Sequence, residues 1–231
     1  LAPVEQTLHE TSAFAEAVID AATRYAGARM ALRHGAPAGA DAGLVVLGMG
    51  KLGGGELNFS SDVDLVFLFA SGGETTGPAP VSYEEFYLRQ GRLLIRLLDP
   101  VTEEGFVFRV DMRLRPFGDS GPLVASFAFF EDYLQAHGRD WERYAYVKAR
   151  PLTQKGEFEA LRNDVLRPFV FRRYLDFGVF ESLREMKALI SRDVQRRDRM
   201  GSLKLDDNLE GAMADPFVYD ASNVEEFAKI F

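Results

Sequence analysis

Cysteine is absent from this chain of 231 residues. The protein therefore forms no disulfide and no thiolate metal site, which fits a reducing compartment. No apolar run approaches the length of a membrane span, and the first residues, LAPVEQTLHE, lack the charged and apolar regions of a secretory signal. These absences predict a cytoplasmic protein that has no membrane partner.

An excess of positive charge is also missing, since the formal net charge is -8 and the isoelectric point is near 5.0. Affinity for a nucleic-acid backbone comes from clustered lysine and arginine, so this balance argues against a general nucleic-acid binder and leaves room only for a local basic site. A hydrophobic content of 47% with 27% charged residues is typical of a globular protein. The length allows one large or two modest domains.

The first half of the chain combines helix and strand patterns. An alanine-rich helix is predicted over 11–32, and apolar strands over 44–47 and 62–69. Ser82 begins a Ser-x-x-Glu capping box, which opens a helix that Pro100 ends. The stretch 105–116 alternates along its whole length and predicts a third strand. Its apolar face has Phe106, Phe108, Val110, Met112 and Leu114, and its charged face has Arg109, Asp111, Arg113 and Arg115.

The second half shows helical patterns and no strand signal after Ser126. Helices are predicted over 127–137, 139–150 and 157–167, with a long one after Gly178. Trp141 and Tyr144 are expected in the core, while Arg143 and Arg150 are expected on a basic wall or a solvated helix face. The predicted domains are an α/β domain over 1–125, a helical domain over 126–200 and a divergent tail over 201–231.

The segment GMGKLGGGELNFSS, residues 48–61, begins with a G-x-G-x-x-G pattern after an apolar strand. A dinucleotide-binding fold needs a helical crossover of a dozen residues or more before the next parallel strand. Only the eight residues GGELNFSS separate Gly53 from Asp62, and no Ser or Thr follows the Gly-Lys pair as a Walker A loop requires. The glycines therefore predict a different kind of phosphate site.

Asp62 and Asp64 begin the second strand and share one of its faces, about 6 to 7 Å apart along the backbone. Two carboxylates this close repel each other unless a cation lies between them, and hard divalent cations prefer oxygen ligands. If the third strand lies beside the second, Asp111 adds a third carboxylate. The sequence thus predicts a Mg²⁺ or Mn²⁺ site formed by Asp62, Asp64 and Asp111, in which two ions are expected.

A phosphate-binding set is expected around these three carboxylates. A flexible glycine loop would offer backbone N–H groups and the Lys51 side chain to phosphates, and arginines flank Asp111 on the charged face. The predicted phosphate-binding residues are Gly50, Lys51, Gly53, Gly54, Ser61, Arg109, Arg113 and Arg115.

The order Gly50-Lys51, Asp62-Val63-Asp64 and then Asp111 resembles the nucleotidyltransferase superfamily that includes DNA polymerase beta. In addition, GMGKLGGGELNFSSDVDLVF together with VDMRLRPFG is similar to the glutamine synthetase adenylyltransferase/adenylyl-removing family, whose members carry two such domains in tandem. Residues 121–150 and 166–177 are more similar to the amino-terminal, adenylyl-removing half. Residues 201–231 depart from the family pattern.

This resemblance implies an α+β fold, with a polymerase-beta-like core of mixed sheet and helices followed by a helical bundle. It also implies a reaction in which inorganic phosphate removes AMP from a tyrosine of glutamine synthetase and releases ADP, in control of nitrogen assimilation. Asp62, Asp64 and Asp111 would be the catalytic metal ligands. The implied partners are glutamine synthetase and a PII-type signal protein.

Three alternatives stay open at the level of sequence. The first is AMP transfer from ATP to the same tyrosine, because both halves of the family share the metal motif. The second is a non-catalytic domain that docks glutamine synthetase or a PII-type protein, which the altered tail favours and the three aspartates oppose. The third, a nucleic-acid polymerase or tRNA nucleotidyltransferase, conflicts with the acidic net charge.

Overall fold

The structure is a computed structural model that describes residues 3–39, 43–103, 105–171 and the single residue 188. The chain divides into two compact units, residues 1–173 and 174–231, and every element named below belongs to the first. The predicted helix after Gly178, apart from residue 188, and the predicted tail over 201–231 lie outside the described residues.

The described residues form a mixture of helices and short strands. In chain order the elements are α1 (Val4–His34), β1 (Val45–Gly48), α2 (Gly50–Gly53), β2 (Val63–Phe69), α3 (Tyr83–Leu98), β3 (Val110–Asp111), β4 (Val124–Ser126), α4 (Phe127–His137), α5 (Asp140–Tyr146), β5 (Arg150–Pro151), α6 (Lys155–Leu161) and α7 (Arg167–Val170). A π-helical turn over Arg162–Leu166 joins the last two helices. None of the helices in the described ranges has the length and apolar character needed to cross a bilayer.

The strands form one mixed sheet in the order β3-β2-β1-β5. β1 runs antiparallel to both β2 and β5, whereas β3 and β4 run parallel to β2. Because β1 occupies one edge of β2, β3 and β4 share the other edge, beside its first and last residues respectively. The antiparallel pairing of β1 with β2 confirms that no dinucleotide-type crossover joins them.

Two apolar cores lie on opposite faces of this sheet, as the alternation of side chains along a strand requires. On one face Val46, Leu65 and Phe67 pack with α1 and α3. On the other face Val66 and Leu68 pack with α4, α5, α6 and α7. The mixed α+β character predicted from the sequence is confirmed, and the sheet is covered by helices on both sides.

The helix start that the capping box at Ser82 predicts is confirmed. The Ser82 hydroxyl accepts a hydrogen bond from the Glu85 backbone N–H at 3.2 Å, which caps α3 at its first turn. Ser126 caps α4 in the same way through the Phe129 N–H at 3.1 Å. The helix predicted over 11–32 is also present, and it is longer at both ends.

The predicted strand over 105–116 is wrong for most of its length, because only Val110 and Asp111 pair with β2. After them the chain turns: the Arg113 N–H donates to the Asp111 carboxylate at 2.8 Å, and the Arg115 N–H donates to the Met112 carbonyl at 3.2 Å. Local side-chain bonds of this kind compete with a β ladder. The alternating pattern therefore predicted the apolar face at Phe108, Val110 and Met112, which pack on one core, but not the length of the strand.

The predicted helix over 139–150 is too long, and the expectation that strands end at Ser126 is wrong. α5 ends at Tyr146, and Arg150–Pro151 then pairs with the edge of β1. Trp141 and Tyr144 are 41% and 43% exposed, so they do not form the core. Arg143 does not lie on a solvated helix face, since its side chain is mostly buried and its guanidinium donates to the Phe169 carbonyl and lies 4.1 Å from the centre of that ring.

Candidate active site

The pairing of β2 with β3 places two of the predicted carboxylates side by side. In this parallel register Asp64 lies opposite Asp111, and Val63 lies opposite Val110. A hydrogen bond of 2.8 Å from the Val63 N–H to the Arg109 carbonyl anchors the start of the pair. Asp62 precedes β2 by one residue, so all three predicted acidic residues meet at one end of the sheet.

The ionisation of Asp64 reflects this crowding. Burial raises its pKa, as do the charges of Asp111 and Asp62, whereas Arg113 and Lys51 oppose the rise; the resulting pKa is about 6. The pKa of Asp111 is instead lowered, mainly by the side-chain hydrogen bonds from Arg113. Asp64 is therefore the carboxyl that would gain most from a nearby cation.

Both outer carboxylates are engaged by arginines. Arg109 Nε lies 2.6 Å from Asp62 Oδ1, and Arg113 Nη2 lies 2.5 Å from Asp111 Oδ2. In this arrangement the described ranges contain no group of three or more His, Cys, Asp or Glu side chains that could hold a metal ion. The donor chemistry nevertheless fits a hard cation, because carboxylate oxygens are the ligands that such ions prefer and the charges of Asp62 and Asp111 both act on the buried Asp64 carboxyl.

The glycine segment forms one helical turn, α2, so the expectation of a flexible loop is wrong. The N–H groups of Gly53 and Gly54 donate to the carbonyls of Met49 and Gly50 at 3.0 Å. Gly50 has a φ of +51°, and a β-carbon there would lie 3.2 Å from Asp64 Oδ2. A β-carbon at Gly53 would meet the Lys148 carbonyl oxygen at 2.1 Å. Both glycines therefore permit close packing at the site.

Lys51 and Ser61 meet beside the acidic residues. Lys51 Nζ donates to Ser61 Oγ at 3.2 Å, and Ser61 Oγ donates to Asn58 Oδ1 at 2.6 Å. The opposing effect of Lys51 on the pKa of Asp64 shows that its charge reaches that carboxylate. The structure thus brings the predicted lysine and serine to the carboxylates, with Asn58 as an unforeseen support.

Arg115 lies in the turn that follows β3. Its Nη1 donates to the Met112 carbonyl at 2.8 Å and lies 3.5 Å from Asp119 Oδ1, while its Nε is buried without a hydrogen-bond partner in the described part of the chain. The buried hydroxyl of Tyr146 donates to the Leu114 carbonyl at 3.1 Å and holds this turn against α5. Arg115 therefore retains donor capacity next to the predicted site.

Arg150 is a functional candidate that the sequence interpretation misplaced. Its Nε and Nη2 donate to the last carbonyls of α2, on Gly53 and Leu52, at 3.1 and 3.4 Å. Its Nη1 donates to Glu16 of α1 at 2.6 Å. Burial raises the pKa of Glu16, but hydrogen bonds from Arg150 and Lys155 outweigh that and hold it below the usual value. Arg150 thereby fixes the helical turn that carries Gly50 and Lys51.

Comparison with known proteins identifies the family to which the chain is similar. The family model for glutamate-ammonia ligase adenylyltransferase matches residues 1–164. A protein of Thioalkalivibrio sulfidiphilus, named bifunctional glutamine synthetase adenylyltransferase/adenylyl-removing enzyme, is 54% identical over 88% of the chain. Proteins with the same name from Shewanella frigidimarina and Idiomarina loihiensis are 52% and 50% identical over 88% and 87% of the chain.

These matches cover most of the chain but only part of each relative. The aligned region is 21% of the Thioalkalivibrio protein and 22% of the other two. The chain therefore spans about a fifth of the length of the curated relatives it matches. On the extent of the family match and the level of identity, the chain belongs to the glutamate-ammonia ligase adenylyltransferase family.

Proposed function

We propose that this chain carries a nucleotidyltransferase site of the polymerase-beta type, which removes AMP from an adenylylated tyrosine of glutamine synthetase by phosphorolysis. The observation that carries the proposal is the placement of Asp64 opposite Asp111, with Asp62 beside them. The names of the relatives support glutamine synthetase as the substrate, and the similarity of residues 121–150 to the adenylyl-removing half favours this direction of reaction.

Asp62, Asp64 and Asp111 would hold Mg²⁺, with Mn²⁺ as a substitute. The bound ions supply positive charge that offsets the charge developing on the phosphoryl oxygens and on the leaving phenolate. Burial is the largest cause that raises the pKa of Asp64, and the charges of Asp111 and Asp62 raise it further. Asp64 would hold a cation in its ionised form, and the positive charge would offset its repulsion with Asp62 and Asp111.

The basic residues of the site bind and orient phosphate. Arg109 and Arg113, which pair with Asp62 and Asp111, would bind phosphate oxygens if those carboxylates held a metal, since a guanidinium fork fits carboxylate and phosphate alike. Lys51 is held at Ser61 and supplies a further positive charge. Arg115 contributes the buried Nε donor that has no partner in the described residues.

The reaction is a displacement at phosphorus. An oxygen of inorganic phosphate attacks the phosphorus of the AMP ester, and the new P–O bond yields ADP. The bond between phosphorus and the tyrosine oxygen breaks, and the phenolate takes up a proton. Regulation by a PII-type signal protein is a further part of the proposal, and it is based on the family resemblance.

The test is to incubate the chain with adenylylated glutamine synthetase, Mg²⁺ and inorganic phosphate and to measure ADP. We expect ADP from the wild-type chain, none above background from Asp64→Asn, and wild-type rates from Asp132→Asn, an exposed carboxylate change on α4. Pyrophosphate release from ATP with unmodified glutamine synthetase, in place of ADP, would assign the opposite direction. The absence of both products would refute the enzymatic proposal.

A further inference from the structure

A groove between α1 and α3 concentrates positive charge in a chain whose net charge is -8. It has a volume of about 830 Å³, and none of the residues of the candidate active site lines it. We call it the arginine groove after its five arginines, which are Arg29, Arg33, Arg89, Arg92 and Arg96.

Four of these arginines lack an internal counter-charge. Arg89 forms an ion pair with Glu85 at 2.6 Å, but Arg29, Arg33, Arg92 and Arg96 form no salt bridge with any carboxylate in the described part of the chain. Arg29 and Arg33 are four residues apart on α1, and Arg92 and Arg96 are four apart on α3. Like charges at this spacing destabilise a helix, so the arrangement has a cost that folding alone does not explain.

The buried side chain of His34 positions Arg89 in the groove. A guanidinium only donates, so Arg89 Nη1, 3.0 Å from His34 Nε2, requires that nitrogen to be the acceptor. The proton of the neutral ring is then on Nδ1, which donates to the Ala79 carbonyl at 2.6 Å. With Glu85 on its other side, Arg89 is held in a fixed orientation before any ligand binds.

Backbone contacts make the groove a preformed surface. The Gly77 and Ala79 N–H groups donate to the carbonyls of His34 and Arg33 at 2.9 and 3.1 Å, which ties the end of α1 to the loop before α3. Gln90 of α3 donates to the Thr23 carbonyl of α1 at 3.0 Å. The two rows of arginines are therefore fixed relative to each other.

The spacing of the arginines limits the shape of a ligand that can pair with them. At a rise of about 1.5 Å per residue, the arginines of α3 extend about 10 Å along its axis and those of α1 about 6 Å. One phosphate group is too small to reach both ends of the arginine row on α3. An extended polypeptide places side chains on one face about 6 to 7 Å apart, and carboxylates pair well with guanidinium groups. Met30 and Ile95, which also line the groove, provide apolar contacts between those charges.

We infer that the arginine groove docks an acidic polypeptide segment, in which carboxylates alternate with apolar side chains. This function is separate from the proposed phosphorolysis and does not depend on it. The binding is electrostatic and partly exposed to solvent, so it weakens as salt rises.

The test measures the binding of a fluorescein-labelled ten-residue peptide of alternating glutamate and leucine to the full 231-residue chain by fluorescence anisotropy. We expect saturable binding that weakens at least about tenfold in the double variant Arg92→Gln/Arg96→Gln and with increasing NaCl. Arg24→Gln is the matched control, because Arg24 lies on α1 outside the groove and pairs with Asp20 at 3.0 Å. It should bind within about twofold of wild type.

Three results would overturn the inference. The first is that the wild-type chain does not bind the glutamate-leucine peptide. The second is that the double variant binds the peptide as well as the wild-type chain does. The third is that the wild-type chain binds inorganic phosphate or ATP but not the peptide, and that the double variant no longer binds the phosphate or ATP. That result would identify a small-anion site instead. Thermal unfolding of each variant, with a midpoint close to wild type, shows that a loss of binding is not a loss of fold.

Discussion

The backbone of Gly50 lies against the carboxylate of Asp64, so closely that a β-carbon on Gly50 would be 3.2 Å from Asp64 Oδ2. Gly50 also has a φ of +51°, a conformation that side chains disfavour. This close approach is a structural reason for a glycine at position 50. The glycine allows α2, with Lys51, to approach the acidic residues.

Gly50→Ala should reduce both stability and activity. The left-handed backbone conformation costs an alanine about 1 to 2 kcal/mol, and the new methyl group also displaces the Asp64 carboxylate. A misplaced catalytic group can lower turnover by about 100-fold. Urea unfolding and the ADP-release assay measure the two effects.

Gly55→Ala is the control for this change. Gly55 also has a positive φ, +73°, but no atom lies within 4 Å of the β-carbon position. It should lose stability to a similar degree and keep most of its activity. Equal losses of activity in both variants would show that the contact between Gly50 and Asp64 has no role in catalysis.

Asp64→Asn should change the pH dependence of stability in metal-free protein. The pKa of Asp64 is raised to about 6 in the folded state, so the native state binds more protons than the unfolded state between about pH 4 and pH 6. Wild-type stability therefore falls as the pH rises through about 6. The asparagine removes this dependence and should be more stable than wild type at pH 7.5 but not at pH 4.

Urea midpoints at the two pH values measure this difference, and Asp132→Asn controls for the loss of one exposed carboxylate. If Asp64→Asn has the same advantage over wild type at both pH values, titration of Asp64 is not its cause. If the variant is less stable at pH 7.5, the carboxylates do not repel one another in the folded protein.

Mg²⁺ should raise the melting temperature of the wild-type chain, because a ligand that binds only the native state stabilises it. The shift should grow with concentration and should be mostly lost in Asp62→Asn, which removes one proposed ligand. Differential scanning fluorimetry from micromolar to millimolar Mg²⁺ measures it. An equal shift in Asp62→Asn would place the bound metal elsewhere.

Arg150→Ala should destabilise the chain by about 1 to 3 kcal/mol, because the Leu52 and Gly53 carbonyls and the Glu16 carboxylate each lose a hydrogen-bond donor. It should also lower the affinity for phosphate, since α2 positions Lys51. Arg24→Ala, which breaks only a surface pair with Asp20, should cost less than about 0.5 kcal/mol. Similar losses in the two variants would contradict a positioning role for Arg150.

The sequence by itself determined the features that depend on local periodicity. The alternation of polar and apolar residues predicted that Asp62 and Asp64 share a face and that Val63 is buried, and Val63 is fully buried in the structure. The short separation of Gly53 from Asp62 excluded a dinucleotide crossover, and the antiparallel pairing of β1 with β2 agrees. The capping box at Ser82 fixed where α3 begins.

Only the tertiary structure decided which distant residues meet. The position of Asp111 opposite Asp64 depends on the register of two strands separated by all of α3, and strand pairing has no signal within either strand alone. Arg150 and Pro151 form a strand only because they pair with the edge of β1, so the sequence pattern predicted part of a helix there. The arginine groove likewise forms because Gln90 and the buried His34 join α1 to α3, and helix faces far apart in sequence become neighbours only when the core packs.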